Sequence, residues 1–355
     1  MTDVGELVDE AALATFCREA LGGAPDAALG VERHGEGFSN ETLLVEWDDR
    51  ALVLRRPPAG DHAEGAHDVL REARVVDAVS GEVPVPEIAA TCDDTDVIGS
   101  PFVLMERLDG DVLRAEEPDR FATAAHRRAV GERLVETLAD VHAVDYEAIG
   151  LEAGTFGYPD GYLERQVENF TEQLEWLLPT TEQDREVPHL REVGDWLAEN
   201  LPEESDHTLV HGDYKLDNLM FESGTPPTVA GVLDWELSTL GDPLADLGWM
   251  LVFWREPHDP DPGLPGRFLP RFMEHEDYPT RTELVARYED RTGRAFTDER
   301  FYRGLAAYKI ATTAEAMYYR YREGDADDPL YPALEEGVPE LARRAKRIVD
   351  GEEPL

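Results

Sequence analysis

The stretch HGDYKLDN, residues 211–218, places five charged or polar side chains directly after a short apolar segment. Within it, Asp213 and Asn218 are five positions apart, on a loop that leaves a predicted strand. Asp234 ends the strand that returns after the turn ESGTPP at 222–227. Because a hairpin brings its two ends to the same edge, we expect Asp234 to lie close to Asn218.

These side chains favour a divalent cation and acid–base chemistry. Asn218 and Asp234 would offer an amide and a carboxylate oxygen, and Mg²⁺ is usually held by one or two carboxylates together with substrate phosphates. Asp213 then stays free to act as a base on an incoming hydroxyl group. A metallohydrolase that binds its metal through His211, Asp213 and Asp234 is an alternative interpretation of the same residues.

The first part of the chain is patterned as an antiparallel sheet with one inserted helix. Residues 4–21 have helical periodicity, and the runs 31–47 and 50–60 form a predicted hairpin. A helix is predicted over 62–80, and short strands are predicted within 83–110. We therefore predict an N-terminal lobe over residues 1–105 that is built on this sheet.

From about Glu117 onward the chain changes to long helical patterns, interrupted only by the β segments around Asp213. The predicted helices are 120–143, 160–178, 186–200, 282–292 and 300–322. A Pro-, Asp- and Gly-rich stretch at 258–270 is typical of a surface loop. We predict an α+β fold of two lobes, in which a connector at 106–110 opens a mainly helical C-terminal lobe over residues 106–355.

The composition is strongly acidic. Lys and Arg together number 33 against 77 Asp and Glu, a formal net charge of −44, and lysine occurs only at Lys215, Lys309 and Lys346. Such a surface repels itself unless salt screens it, which favours a salt-rich, halophilic cytoplasm. It would also repel nucleic acid and anionic membranes, so neither is an expected partner.

Cysteine usage and hydropathy are typical of a soluble cytoplasmic protein. Cys17 and Cys92 lie far apart, without a CxxC pair or a neighbouring His cluster, so neither a disulfide framework nor a zinc site is indicated. The N-terminus has no basic-then-apolar signal pattern. No apolar run approaches the length of a membrane span.

The combination of His211-Gly212-Asp213, Asn218 and Leu233-Asp234-Trp235-Glu236 resembles the aminoglycoside phosphotransferase and choline kinase-like family, relatives of the protein kinases. The resemblance implies a bilobal protein kinase-like fold that binds ATP and Mg²⁺ and phosphorylates a small-molecule hydroxyl. It also implies that Asp213 is the catalytic base and that Asn218 and Asp234 are the Mg²⁺ ligands.

The family's phosphate-covering loop corresponds to a glycine-rich segment between two predicted strands. Small residues there let backbone N–H groups approach phosphate. A strand follows this segment instead of a helix, which argues against a dinucleotide-binding fingerprint. The loop residues expected to contact ATP are Gly35, Gly37, Phe38, Ser39 and Asn40.

Two further sites in the first lobe correspond to nucleotide-binding positions of the family. Arg55 stands where the family commonly has a lysine, shares a strand face with Val53, and has Glu72 as its expected partner. Glu106 and Leu108 lie in the connector, where the family's backbone receives the adenine ring.

Three residues near the motif are expected to support it. His211 is predicted to brace the loop through a buried hydrogen bond. The resemblance places Asp246 beneath the loop as a hydrogen-bonding support. Lys215 would either bind the γ-phosphate or an acidic substrate, or be a solvated loop cation.

The strings GFSNET, VLRRPP and LDWELSTLGDPLADLGW are most similar to the branch of this family that is fused, in animals, to acyl-CoA dehydrogenases. That branch implies a hydroxyacyl-CoA or a related hydroxy compound as acceptor. An aminoglycoside kinase and a nucleotide-binding regulator without transfer activity are the alternatives beside the metallohydrolase. The sequence leaves open the acceptor, the choice of ATP or GTP, and the oligomeric state.

Overall fold

The computed structural model describes residues 4–24, 27–34, 40–58, 68–183, 185–203, 206–326 and 328–355. The elements of its first part are α1 (Val4–Leu7), α2 (Glu10–Leu21), β1 (Leu29–Arg33), β2 (Glu41–Trp47), β3 (Arg50–Arg56), α3 (Val69–Val79), β4 (Ile88–Cys92), α4 (Thr95–Ile98) and β5 (Phe102–Glu106). The five strands form one antiparallel sheet in the order β1-β2-β3-β5-β4.

The sheet separates two layers of side chains. On one face, Leu52 and Leu54 of β3 belong to a core shared with α2. On the other face, Val53 packs in a cluster with Val69 and Ala73 of α3.

The period-two alternation of β3 therefore turns Arg55 toward α3. Arg56 faces the opposite way, where its buried guanidinium donates to the carbonyls of Leu7 and of Ile98, the latter at 3.2 Å.

The second part is mainly helical. Its helices are α5 (Ala124–Ala143), α6 (Tyr162–Thr181), α7 (Leu190–Glu199), α8 (Pro243–Phe253), α9 (Arg281–Thr292), α10 (Glu299–Glu323) and α11 (Leu334–Asp350). Short strands β6 (Asp111–Val112), β7 (Thr208–Val210), β8 (Leu219–Phe221), β9 (Val229–Val232) and β10 (Thr239–Gly241) lie among them. The predicted α+β class is confirmed, with sheet-rich and helical parts in the expected order.

The β segments around Asp213 form two small sheets. β7 pairs with β10, and β8 pairs with both β6 and β9. The loop that carries Asp213 therefore runs from one small sheet to the other, between β7 and the β8–β9 hairpin. This arrangement holds both ends of the loop in regular structure.

The helix predicted over 62–80 differs from the observed α3, which begins at Val69 because Asp68 caps it by accepting a hydrogen bond from the Arg71 amide at 2.9 Å. Residues 62–67 lie outside the described part. The segment with helical periodicity at 4–21 is divided into α1 and α2, because Asp9 caps the start of α2. The remaining predicted helices have ends that shift by up to four residues. A division after residue 105 falls one residue before the end of β5 and stays a prediction. In the described ranges, no helix combines the length and the apolar character that a bilayer crossing requires.

Candidate active site

The loop after β7 is held from below by one carboxylate. Asp246 on α8 accepts hydrogen bonds from the His211 amide at 2.6 Å and from the Gly212 amide at 2.9 Å. Burial raises the pKa of Asp246, but a hydrogen bond from His142 and the neighbouring imidazoles more than offset this, so the net pKa lies below its usual range. A charged Asp246 thus fixes two consecutive backbone amides of the loop. It lies beneath the loop, where the resemblance placed it.

Gly212 allows the chain to turn at this point. Its φ is 83°, which favours glycine, and a Cβ placed there would lie 2.6 Å from the Leu237 carbonyl oxygen. The sharp turn directs the next residue, Asp213, away from the strand.

His211 is a structural brace in this geometry. Its Nε2 lies 3.0 Å from the Leu233 carbonyl oxygen, and the Asp213 amide donates to its Nδ1 at 3.3 Å. One contact needs a donor and the other an acceptor, which is the pattern of a neutral imidazole. Burial lowers the pKa of His211, consistent with this neutral form. Both ring nitrogens are therefore engaged.

The Asp213 carboxylate accepts hydrogen bonds from three side chains. Lys215 Nζ and Asn218 Nδ2 contact Oδ2 at 2.5 and 3.0 Å, and Trp249 Nε1 contacts Oδ1 at 2.9 Å. Burial raises the pKa of Asp213, but Lys215 and Lys309 more than offset this and hold the pKa below its usual value. Asp213 is thus a carboxylate at neutral pH and can accept a proton or a hydrogen bond.

The hairpin brings Asp234 beside Asn218, as expected. The Leu233 amide donates to the Asn218 carbonyl at 2.8 Å, next to the pairing of Leu219 with Val232. Asn218 Nδ2 is committed to Asp213, which leaves its Oδ1 as an acceptor. Asp234 has a left-handed backbone with φ of 65°, uncommon for a residue other than glycine.

A cation from the N-terminal sheet reaches this hairpin. Arg55 forms an ion pair with Glu72 of α3, the expected partner, and its Nη2 lies 3.0 Å from Asp234 Oδ1. Burial raises the pKa of Glu72 to about 7, although the Arg55 charge opposes the rise. Arg55 Nε is buried and has no partner among the described residues, so it keeps a free donor.

The predicted phosphate-covering loop falls mainly outside the described residues: Gly35, Gly37, Phe38 and Ser39 are not described. Asn40, the next residue, is buried, and its Nδ2 donates to Glu236 Oε2 at 3.4 Å. The end of the loop is therefore anchored beside the Asp234 hairpin.

The predicted connector leaves the sheet at the end of β5. The Glu106 amide donates to the Glu87 carbonyl at 2.8 Å, and its side chain pairs with Arg50. Leu108 packs so closely on Gly231 that a Cβ on the glycine would lie 2.4 Å from Leu108 Cδ1. Within the described ranges, the Leu108 amide has no hydrogen-bond acceptor.

Two contacts to the loop were not predicted. Besides the bond from Trp249 to Asp213, Lys309 of α10 donates to the Gly212 carbonyl at 2.6 Å. The one indication in the sequence was the rarity of lysine, which occurs three times in the chain. The structure places two of these lysines, Lys215 and Lys309, beside Asp213.

The oxygens of Asn218 and Asp234 fit a Mg²⁺ ion in kind, because one carboxylate and one amide with open positions are typical when substrate phosphates complete the coordination. Across the described ranges, no group of three or more His, Cys, Asp or Glu residues is placed to hold a metal.

The profile of the Phosphotransferase enzyme family (APH) matches residues 30–304. Acyl-CoA dehydrogenase family member 11 of Gallus gallus is 33% identical over 325 residues, which cover 90% of this chain and 40% of that protein. Member 10 of Mus musculus is 32% identical over 326 residues, covering 90% of this chain and 29% of that protein. The chain thus spans two fifths or less of the length of these curated relatives.

Solved structures match almost the whole chain. The "putative aminoglycoside phosphotransferase" of Ralstonia eutropha JMP134 has a TM-score of 0.74 and 33% identity, over 95% of this chain and 99% of that one. A thermostable mutant of APH(4)-Ia, in a ternary complex with AMP-PNP and hygromycin B, has a TM-score of 0.60 and 18% identity over 97% and 99% of the two chains. From the family profile and the similarity to the Ralstonia structure, the chain belongs to the phosphotransferase enzyme family and has its protein kinase-like fold.

Proposed function

We propose that the protein is an ATP- and Mg²⁺-dependent kinase that transfers the γ-phosphoryl group of ATP to a hydroxyl of a small molecule. One observation carries the proposal: Arg55 links Glu72 to Asp234, while Asn218 links the same hairpin to Asp213. The four residues that we propose as the phosphate-binding cation, the two metal ligands and the base, roles that phosphoryl transfer needs, therefore belong to one connected cluster.

Asp213 is the proposed base. Its carboxylate is ionised at neutral pH because two lysines offset the effect of burial on its pKa. It would accept a hydrogen bond from the acceptor hydroxyl and orient the oxygen toward the phosphorus. In phosphoryl transfer, such alignment and the neutralisation of charge provide most of the catalysis.

Asn218 and Asp234 would hold the Mg²⁺ ion through Oδ1 and the carboxylate. A bound Mg²⁺ neutralises phosphate charge and aligns the β- and γ-phosphates. Arg55 would contact the phosphates beside it through the guanidinium end that now faces Asp234. Glu72 keeps the guanidinium in place from the α3 side.

ATP would lie between the sheet and the Asp213 loop. Residues 35–40 would cover its phosphates, and the backbone from Glu106 to Leu108 would receive the adenine. The Leu108 amide, which has no acceptor among the residues that the structure describes, supports this position because it could donate to a ring nitrogen.

The acceptor is proposed from the relatives of the chain and not from the local charge, because Lys215 and Lys309 share this neighbourhood with the carboxylates of Asp213, Asp217 and Asp246. Relatives of the chain are acyl-CoA dehydrogenase family members, so a hydroxyacyl-CoA is the first acceptor to test.

The metallohydrolase interpretation conflicts with the state of His211. Its two ring nitrogens are engaged with Leu233 and Asp213, so no nitrogen remains for a metal unless the loop is rebuilt. The regulator interpretation is not required either, since Arg55 occupies the position of the missing lysine and pairs with Glu72.

A coupled ADP-release assay at high salt tests the function. The acceptor panel contains hydroxyacyl-CoAs, aminoglycosides, choline-like alcohols, sugars and homoserine, each with ATP or GTP. We expect acceptor-dependent ADP release with at least one non-cationic compound. Slow ATP hydrolysis without any phosphorylated acceptor would favour the regulator.

The nucleotide site has a separate test in Asp234→Ala. We expect this variant to lose the thermal stabilisation that Mg-ATP gives the wild type, because one of two metal ligands is gone. Normal stabilisation of Asp234→Ala by Mg-ATP would contradict the proposed metal site.

A further inference from the structure

Trp249 and Lys309 contact the Asp213 loop from two helices that lie far from it in the chain. Trp249 of α8 donates from Nε1 to Asp213 Oδ1 at 2.9 Å. Lys309 of α10 donates to the Gly212 carbonyl at 2.6 Å, across 97 positions of sequence. One contact holds the carboxylate, and the other holds the backbone directly before it.

The two residues also hold each other. Lys309 Nζ lies 4.3 Å from the centroid of the Trp249 ring, a distance at which an ammonium is attracted to an indole face. Phe253 packs at the edge of the same ring, with centroids 5.0 Å apart. Trp249 is 8% exposed. The indole N–H therefore has little freedom to turn away from Asp213.

Counting acceptor sites shows what the indole bond does. A carboxylate offers about four acceptor sites, two on each oxygen. Asp213 Oδ2 receives both Lys215 and Asn218, whereas Oδ1 receives Trp249. Counting donors from the described residues, the open site is thus on Oδ1, and its direction depends on the rotation of the carboxylate, which Trp249 fixes from the Oδ1 side.

We propose that Trp249 is a positioning residue that orients the free acceptor site of Asp213 toward the substrate hydroxyl. Lys309 supports this role by keeping Trp249 and the Gly212 carbonyl in place. The proposal rests on the kinase function proposed above. Neither residue needs to touch ATP or the phosphoryl group in this role.

The presence of lysine at 309 agrees with this role. The chain uses arginine for most of its basic residues. A compact ammonium can donate one N–H to a carbonyl and still lie over a ring face. A planar guanidinium has its donors fixed in one plane, so it cannot make both contacts as readily.

The contact itself can be tested by NMR without any acceptor. In protein with ¹⁵N-labelled tryptophan, the Trp249 indole signal is identified by its loss in Trp249→Phe, among the six tryptophans of the chain. Asp213→Ala should shift this signal more than any other indole signal, because it removes the charged acceptor. Asp217→Ala, on the same loop, is the control and should leave it in place. An unmoved Trp249 signal in Asp213→Ala would overturn the proposal.

Turnover tests the consequence. Trp249→Phe keeps an aromatic ring for Lys309 but removes the N–H donor, so we expect kcat to fall about 10- to 100-fold while the Mg-ATP dissociation constant and the acceptor KM stay within about twofold. Trp249→His, which retains a ring N–H, should recover part of the loss. Trp196→Phe is the matched control, because Arg300 lies over the Trp196 ring at 5.4 Å, away from the loop.

The two proposals fail in different ways. If kcat of Trp249→Phe stays within about twofold of the wild type, Trp249 has no positioning role although the kinase function stands. If the wild type phosphorylates no acceptor, the kinase proposal fails. Turnover is then measured as ADP release with water as the acceptor. In that case the positioning proposal is decided by the NMR shift and by whether Trp249→Phe slows this hydrolysis.

Discussion

Arg55 Nη2 lies 3.0 Å from Asp234 Oδ1, and the same guanidinium forms an ion pair with the buried Glu72. The N-terminal sheet is thus joined to the loop hairpin through the two residues that we assign to phosphate binding and metal binding. In the proposed function, Mg-ATP binding would exchange the contact between Arg55 and Asp234 for contacts to phosphate and metal.

Two substitutions of Arg55 distinguish the contribution of its charge from that of its guanidinium shape. In Arg55→Met the phosphates lose a charged donor, so Mg-ATP should bind at least about tenfold more weakly. Arg55→Lys restores a cation of the kind that the family commonly uses and should bind within a few-fold of the wild type. Isothermal titration calorimetry measures both. Arg128→Met, which removes an exposed ion pair with Glu283 between α5 and α9, serves as the control; equal affinity of Arg55→Met and the wild type would exclude the role.

Glu72 predicts a pH dependence of stability. Burial raises its pKa from the ordinary 4.5 to about 7, so the folded protein holds a proton that the unfolded chain releases. The resulting stabilisation is fully present below pH 4.5 and is lost as the pH rises through about 7. Its size is on the order of 3 kcal/mol.

Glu72→Gln removes this titration. Between about pH 5 and about pH 8, the wild type should lose more free energy of unfolding than the variant, as measured by urea denaturation at constant high salt. Comparing the two proteins cancels the contribution of the other acidic groups. Equal pH dependence in both would show that Glu72 titrates normally.

Gly212 should not tolerate a side chain. In Gly212→Ala, the positive φ costs about 1–3 kcal/mol, and the new Cβ approaches the Leu237 carbonyl as well. We expect a lower melting temperature and a loss of turnover, since Asp213 follows directly. Gly224→Ala, where a Cβ would meet nothing within 4 Å, should change neither. A Gly212→Ala protein as stable and as active as Gly224→Ala would contradict the described turn.

The parts of the site that the sequence predicted are those fixed by local geometry. A six-residue turn between two β patterns is enough to bring Asp234 beside Asn218, because strand pairing dictates where a hairpin ends. Strand alternation likewise turned Arg55, and not Arg56, toward Glu72. The predicted start of α3 was wrong because the helical pattern of the sequence continues through Asp68. In the structure the Asp68 side chain caps the helix, which begins at the next residue.

The parts that were missed depend on tertiary packing. Trp249 belongs to a helix with apolar residues on nearly every side, so its pattern did not distinguish a core tryptophan from one that contacts Asp213. Lys309 lies in a helix whose residues reach the loop only after α8 and α10 have packed together. Neither position follows from spacing within the motif.

The most direct test of the central claim is the turnover of Asp213→Asn with Mg-ATP and the acceptor identified by the ADP-release screen. Asp217→Asn is the control on the same loop; burial raises the pKa of Asp217 to about 6, so the loss of its charge should be tolerated. We predict that Asp213→Asn lowers kcat at least about 100-fold, with the Mg-ATP dissociation constant within a few-fold of the wild type, whereas Asp217→Asn keeps its turnover. Unchanged turnover in Asp213→Asn would contradict the assignment of Asp213 as the base.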